Sequence, residues 1–158
     1  MKFRDARAGD RAQPADPAEL REAAIRLLAR REHSHLELSR KLRQRGWPDP
    51  ALERVLSELA DQGLQSDERF AESFVRMRSQ KAYGPIRIRA ELGERGIDRG
   101  LIDRALREAE VDWLVLASDW YERRYRGRPV ENLKEKSRRQ QALARRGFDH
   151  SVVREVLD

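Results

Sequence analysis

The sequence predicts an all-α protein: an elongated, curved array of three tandem three-helix, helix-turn-helix-like repeats. Three observations predict it. The phrases LRQRGWPD (42–49), LGERGIDR (92–99) and LARRGFDH (143–150) recur with their glycines 50 and 51 residues apart. Apolar residues return at helical spacing on both sides of each phrase. All six prolines fall in the N-terminal segment or at expected element boundaries, and no run of β-branched residues suggests a strand. A three-helix unit of about 48 residues is marginal alone, so stacking on a neighbour is needed to bury what each leaves open.

The elements follow in order. Residues 1–15 mix Ala, Asp, Arg and Pro without apolar periodicity and read as a disordered tail. The first unit, 16–64, opens at Asp16-Pro17-Ala18-Glu19, a cap and a proline at the first helical position. Leu20, Ala24, Leu27 and Leu28 form the inner stripe of its leading helix. Ser34 and Glu37 make a capping box for a second helix, with Leu38 and Leu42 inward. Leu52, Val55, Leu56 and Leu59 line the third. The second unit, 65–111, repeats the plan with Phe70, Phe74 and Met77, then a helix opening at Gly84-Pro85 with Ile88 and Leu92, then Leu101, Ile102, Ala105 and Leu106. In the third unit, 112–158, Trp113, Leu116 and Trp120 lead. A second helix opens near Asn132 with Glu135 as cap partner, and Val152, Val153, Val156 and Leu157 close the unit. Gly93 and Gly100, inside or at the start of helices, weaken two of these readings slightly.

Each repeated phrase is a helix–turn–helix corner. Gly46, Gly96 and Gly147 stand where a helix ends on a left-handed residue, a conformation glycine adopts without a Cβ penalty. A large apolar residue follows each (Trp47, Ile97, Phe148), and a leucine precedes each by four (Leu42, Leu92, Leu143). These are the two halves of the apolar contact in a Schellman ending. Arg45, Arg95 and Arg146 complement the negative helix ends. Asp49, Asp98 and Asp149 are then expected to cap the next helix.

Composition narrows the chemistry. Charged residues reach 39% and aromatics 6%, too polar for one thick core. There is no cysteine, so no disulfide, thiolate site or cysteine nucleophile; a reducing cytoplasm is the expected location. The longest strictly apolar run is WLVLA (113–117), far short of a membrane span, and MKFRDARAGD has no apolar stretch of a secretory signal. His33 and His35 diverge on a helix and read better as cap or surface residues than as metal ligands. No phosphate-cradling loop, HExxH or serine elbow is present. Asp67-Glu68 sits in a first helical turn, where the dipole favours acids. The expectation is a binding protein, not an enzyme, with no cofactor and no metal.

Charge is unevenly placed. Residues 17–64 carry nine basic and eight acidic groups and 65–111 ten and nine, the balance of solvated helix faces. Segment 123–146 instead holds ten Lys or Arg against two Glu. The expected basic face is Arg123, Arg124, Arg126, Arg128, Lys134, Lys136, Arg138, Arg139, Arg145 and Arg146, with a smaller patch at Lys81, Arg87 and Arg89 beside Tyr83. Any single arginine is more often solubilising than functional. Ten in one segment predict salt-sensitive attraction to phosphates or an acidic protein surface. Three helix–turn–helix corners also invite a DNA-reading interpretation, but the second helices differ too much to be copies of one base-reading surface. Trp113 and Trp120 lie on an apolar stripe and are expected in the core rather than as base-stacking platforms.

RREHSHLELSRKL (30–42), SDERFAESFVR (66–76), YGPIRIRAELGERGI (83–97) and LARRGF (143–148) resemble the signature stretches of the RecX regulatory proteins. The likeness runs from about residue 18 to the end and is loosest in the third unit, where an Arg-rich join lengthens the link between first and second helices. The resemblance implies tandem three-helix repeats that act on RecA, the recombinase that polymerises on single-stranded DNA. It implies binding to the RecA–DNA filament, along its groove or at its growing end, and suppression of ATP hydrolysis, strand exchange and coprotease activity. It also implies weak binding to single- and double-stranded DNA, no catalysis and no membrane partner; a monomer is expected. The alternative is an autonomous protein that coats single-stranded DNA.

Overall fold

The structure, a computed structural model, describes residues 16–158; the tail expected over 1–15 lies outside them. Among the described residues the regular structure is helical throughout, with no strand. The helices are α1 (Pro17–Arg30), α2 (His35–Gln44), α3 (Asp49–Asp61), α4 (Asp67–Gln80), α5 (Pro85–Glu94), α6 (Arg99–Glu108), α7 (Trp113–Tyr125), α8 (Leu133–Arg146) and α9 (His150–Leu157). The chain divides into two compact bodies after Gln65: the first holds α1–α3, the second α4–α9.

The first body closes on aliphatic side chains. Leu20, Ala24, Leu38, Leu42, Leu52, Leu56 and Leu59 are fully buried, and each leucine contributes roughly 1.5–3 kcal/mol by leaving water. Ends are capped as the sequence indicates. Asp16 accepts from Ala18 N–H at 3.0 Å, and Ser34 and Glu37 form the reciprocal box. The corner is a Schellman ending: Gly46 has φ +95°, its N–H donates to Arg43 O at 3.0 Å, and Trp47 N–H to Leu42 O at 3.3 Å.

Two expectations fail in this body. Asp49 does not cap α3: Pro48 takes the cap position and Asp49 is the first helical residue, its carboxylate bound to Arg43 Nε at 2.6 Å. The cause is the extra residue between glycine and aspartate here, which displaces Asp49 by one; Asp98 and Asp149, without that insertion, do cap, accepting from Gly100 and Val152 N–H. His33 is not a surface group either. It is 1% exposed, with Nδ1 3.0 Å from Arg31 O and Nε2 2.9 Å from Lys41 Nζ. A carbonyl only accepts, so Nδ1 carries the proton and Nε2 accepts from the ammonium. Burial, reinforced by the Arg31 and Lys41 charges, holds the imidazole below its ordinary pKa. Lys41 is lowered too, by burial first and then by Arg31.

In the second body α4–α6 enclose Phe70, Phe74, Val75, Ile88, Leu92, Ile97, Ile102 and Leu106. Met77, expected inward, is 43% exposed; Val75, one position off the expected stripe, is buried in its place. The α7–α9 core is thinner, with Ala117, Leu143, Phe148 and Val153 buried and Trp113, Leu116 and Trp120 only partly so. Trp113 also packs on the α4–α6 core. The corners repeat the first: Gly96 at φ +77° and Gly147 at φ +99°, with Ile97 N–H donating to Leu92 O at 3.1 Å and Phe148 N–H to Leu143 O at 3.3 Å.

Two helix ends meet inside this body. Gly84 N–H, at the start of α5, donates to Arg146 O at 2.7 Å, and Ile86 N–H to Gly147 O at 3.0 Å. The amides a helix leaves free at its N-terminus thus satisfy carbonyls another leaves free at its C-terminus. Only glycine permits the approach: a Cβ on Gly84 would lie 2.4 Å from Gly147 O, and one on Gly147 2.4 Å from Arg87 Cβ.

Candidate functional site

The basic residues expected to form one face fall into three groups, with Arg139 apart from all of them. The first belongs to the helix junction. Arg87 pairs with Glu91 at 2.9 Å, donates to Arg145 O at 3.2 Å, and lies 4.4 Å from the Tyr83 ring centroid. Arg146 donates to Lys81 O at 3.0 Å and sits between the rings of Tyr83 (4.6 Å) and Trp120 (5.1 Å). Arg78 approaches the same tyrosine at 4.6 Å and shares Glu91. Burial works against ionisation of Glu91, but hydrogen bonds from Arg87 and Arg78 outweigh it and hold the carboxyl below the usual range. Arg87 and Arg146 therefore fasten helices together, while the Lys81 side chain is exposed beside them.

The second group is neutralised on the surface. Arg89 is paired with Asp103, and Lys136 lies 4.0 Å from Asp158. Such exposed pairs stabilise little, but they remove net charge from the face.

The third group gathers. Arg124 from the end of α7 and Lys134, Arg138 and Arg145 from α8 line one groove of about 700 Å³ together with Tyr125, Asn132 and Gln141. Among the described residues none of these four cations has an ion pair. Arg123, Arg126 and Arg128 are exposed nearby on the end of α7 and the join after it; Arg126 turns that join with φ +52°. By contrast, the concavity between α4 and α6, about 460 Å³, sets Arg76 against Glu72 and Glu108 and presents no field of one sign.

Arg139 corrects the expectation most directly. It is 2% exposed and so not on the surface face. Nη1 donates to Tyr121 Oη at 2.7 Å and Arg128 O at 2.9 Å; Nη2 donates to Glu135 at 2.5 Å and Pro129 O at 3.4 Å. Its guanidinium also lies 4.4 Å from the Tyr125 ring centroid. The burial was recoverable from spacing. Counting back eight residues from each corner glycine gives Leu38, Ile88 and Arg139, and the first two are fully buried. Sequence reasoning also passed over Tyr121 and Tyr125, whose i, i+4 spacing on α7 puts both rings on the Arg139 side.

Tandem three-helix units, two of them joined in one body with a cation-lined groove, define a helical-repeat protein. Comparison with known proteins narrows the class. Models of three RecX domains match in order: the first three-helix domain over residues 21–59, the second over 66–106 and the third over 110–157. The chain is 47% identical over 141 residues to the regulatory protein RecX of Pseudomonas entomophila, covering 89% of this chain and 91% of that one. It is 44% identical over 142 residues to that of Ectopseudomonas mendocina, covering 90% and 95%. A crystal structure of regulatory protein RecX superposes with TM-score 0.76 at 28% identity, covering 89% of this chain and 70% of that one. RecX from Lactobacillus salivarius shares the fold, with TM-score 0.71 at 23% identity and coverage of 89% and 94%. The chain belongs to the RecX family of regulatory proteins. No helix among its described residues is long and apolar enough to cross a membrane.

Proposed function

We propose that this protein is an inhibitory regulator of RecA–DNA filaments. It binds along the filament groove or at the growing end and suppresses ATP hydrolysis, strand exchange and coprotease activity. The observation that carries this reading is the groove at Arg124, Lys134, Arg138 and Arg145, whose charge is left unmatched among the described residues and suits a phosphate-bearing polymer. Two compact bodies on one chain give two places of attachment. A polymer that offers repeated sites then gains by effective concentration, so individually weak contacts suffice on filaments and fail on free subunits. DNA binding by the protein alone is accordingly weak.

Coating of bare single strands is the poorer reading. It needs exposed aromatic faces for bases, and here Trp120 is covered by Arg146 and Tyr125 by Arg139.

The test is ATP hydrolysis by preformed RecA filaments titrated with the protein. Hydrolysis slows at near-stoichiometric amounts, and Arg124, Lys134, Arg138 and Arg145 changed together to Gln reduce potency by roughly ten-fold or more. No slowing at tenfold excess rejects the reading.

A further inference from the structure

The unit α7–α9 holds an arginine at a core position where the other two units hold an aliphatic side chain. Leu38 and Ile88, eight residues before their corner glycines, are fully buried; Arg139, eight before Gly147, is 2% exposed. Desolvating a guanidinium is expensive, and well-packed apolar residues in such a place are often as stable or more so. The cage around Arg139 is also incomplete, because its buried Nε has no hydrogen-bond partner. Stability alone is therefore a poor reason for this residue.

What Arg139 holds suggests the reason. The joins between first and second helices span four residues in the first two units, 31–34 and 81–84, but seven in the third, 126–132. The two carbonyls that Arg139 binds, those of Arg128 and Pro129, belong to this longer join. A third partner, Glu135, is the one acid lining the groove. Arg139 thus ties down the join beside the groove, lies against Tyr125 in its lining, and neutralises the carboxylate that would oppose an anion there. What remains along the groove is Arg124, Lys134, Arg138 and Arg145. Asn132 lines the groove as well, its side-chain oxygen capping α8 by accepting from Glu135 N–H at 2.8 Å.

We infer that this groove is a phosphate site, that its ligand is adjacent backbone phosphates of a nucleic-acid strand, and that Arg139 is its positioning residue. Guanidinium forks match phosphate oxygens bidentately. Four cations around one groove suit neighbouring phosphates better than the dispersed single carboxylates of a protein surface. Recognition is blind to sequence, because phosphate contacts carry no base information. The inference deepens the filament-regulator reading by naming what the α7–α9 groove takes, but its test uses no RecA.

The experiment measures fluorescence anisotropy of a labelled oligothymidylate with the full chain, competed by sodium pyrophosphate and separately by polyglutamate. Pyrophosphate competes and polyglutamate of equal charge competes less well. Arg139→Leu, which installs the side chain of the first unit, keeps the helical circular dichroism and unfolding midpoint yet weakens oligonucleotide binding by roughly ten-fold. Lys134→Gln with Arg138→Gln leaves the core untouched and lowers the salt slope of log K by about 1.4, at roughly 0.7 per lost single-strand contact. A folded Arg139→Leu protein that binds as tightly as the parent overturns the positioning role. If that variant does not fold, an unchanged salt slope in the double variant overturns the site, as does stronger competition by polyglutamate. Failure here leaves inhibition of RecA filaments to be decided by its own assay, and loss of that inhibition leaves this binding measurement standing.

Discussion

The unit α1–α3 and the unit α7–α9 solve the same packing problem with different chemistry. Both end their second helix on a left-handed glycine, bond the next amide back to a leucine carbonyl, and tuck an apolar residue under the corner. In the first unit the space behind that corner is filled by Leu38, Leu42, Leu52, Leu56 and Leu59. In the third, Leu143 and Phe148 are joined by Arg139, caged by Tyr121, Glu135 and two carbonyls. An aliphatic core needs only volume and shape. A charged one needs partners for its donors, and here they come from Tyr121 on α7, Glu135 on α8 and two carbonyls of a lengthened join, with Nε alone left unanswered. The corner is thus a reusable frame, and what stands eight residues before its glycine decides whether a unit is only packed or also carries a built groove.

The strongest way to break this comparison is to exchange the two chemistries. Leu38→Arg in the first unit, which has no cage for a guanidinium, is expected to cost about 3–5 kcal/mol, the scale of an uncompensated buried charge. Urea unfolding monitored by helical circular dichroism measures it. Loss below about 1 kcal/mol means that the first unit tolerates a buried guanidinium without the cage of the third.

Next in size is the corner itself. Gly147→Ala puts a Cβ 2.4 Å from Arg87 Cβ and 2.6 Å from Arg87 N at φ +99°, whereas Gly46→Ala at φ +95° meets nothing within 4 Å. The first is expected to lower stability by about 3 kcal/mol or more and the second by about 1–2, the left-handed strain alone. Equal losses in the two variants contradict the helix-end junction.

The buried imidazole sharpens the contrast from the other side. The folded state lowers His33 from 6.5, so below pH 6.5 the unfolded chain binds a proton the folded chain refuses. Its contribution is complete above that pH and fades as pH falls toward the folded-state value. Unfolding free energy between pH 7.5 and 5.5 declines in the parent and declines less in His33→Gln. Identical slopes disprove a neutral, buried imidazole.

The smallest effects concern caps. Asp149 accepts from Val152 N–H, and Asp149→Ala is expected to cost about 1 kcal/mol. Asp49 caps nothing and holds an exposed pair with Arg43, so Asp49→Ala stays within about 0.5 kcal/mol. Thermal melts of the two variants side by side decide this.

Much of the fold was legible because its signals are local. A capping box, a proline at the start of a helix and a left-handed glycine act within a few residues, so Ser34, Pro85 and Gly96 could be placed without tertiary information. The failures have equally particular causes. Asp49 missed its cap by the single residue Pro48 adds. Met77 falls on the exposed side of α4, and His33 is a loop residue drawn inside by Lys41 and the Arg31 carbonyl. The basic segment was legible as charge but not as a surface. Charge counting sees ten cations; it does not see that Arg146 stacks on Tyr83, that Lys136 meets Asp158, or that Arg139 is interior.

Taken by itself, the chain's order of residues determined the helices, the three corners and their step of fifty, since each depends on backbone preferences and spacing along the chain. Tertiary structure alone decided which cations remain unmatched among the described residues. Pairing and burial depend on groups distant in sequence, such as Tyr121 for Arg139 and Tyr83 for Arg146, and distances of that kind are set only when the helices pack.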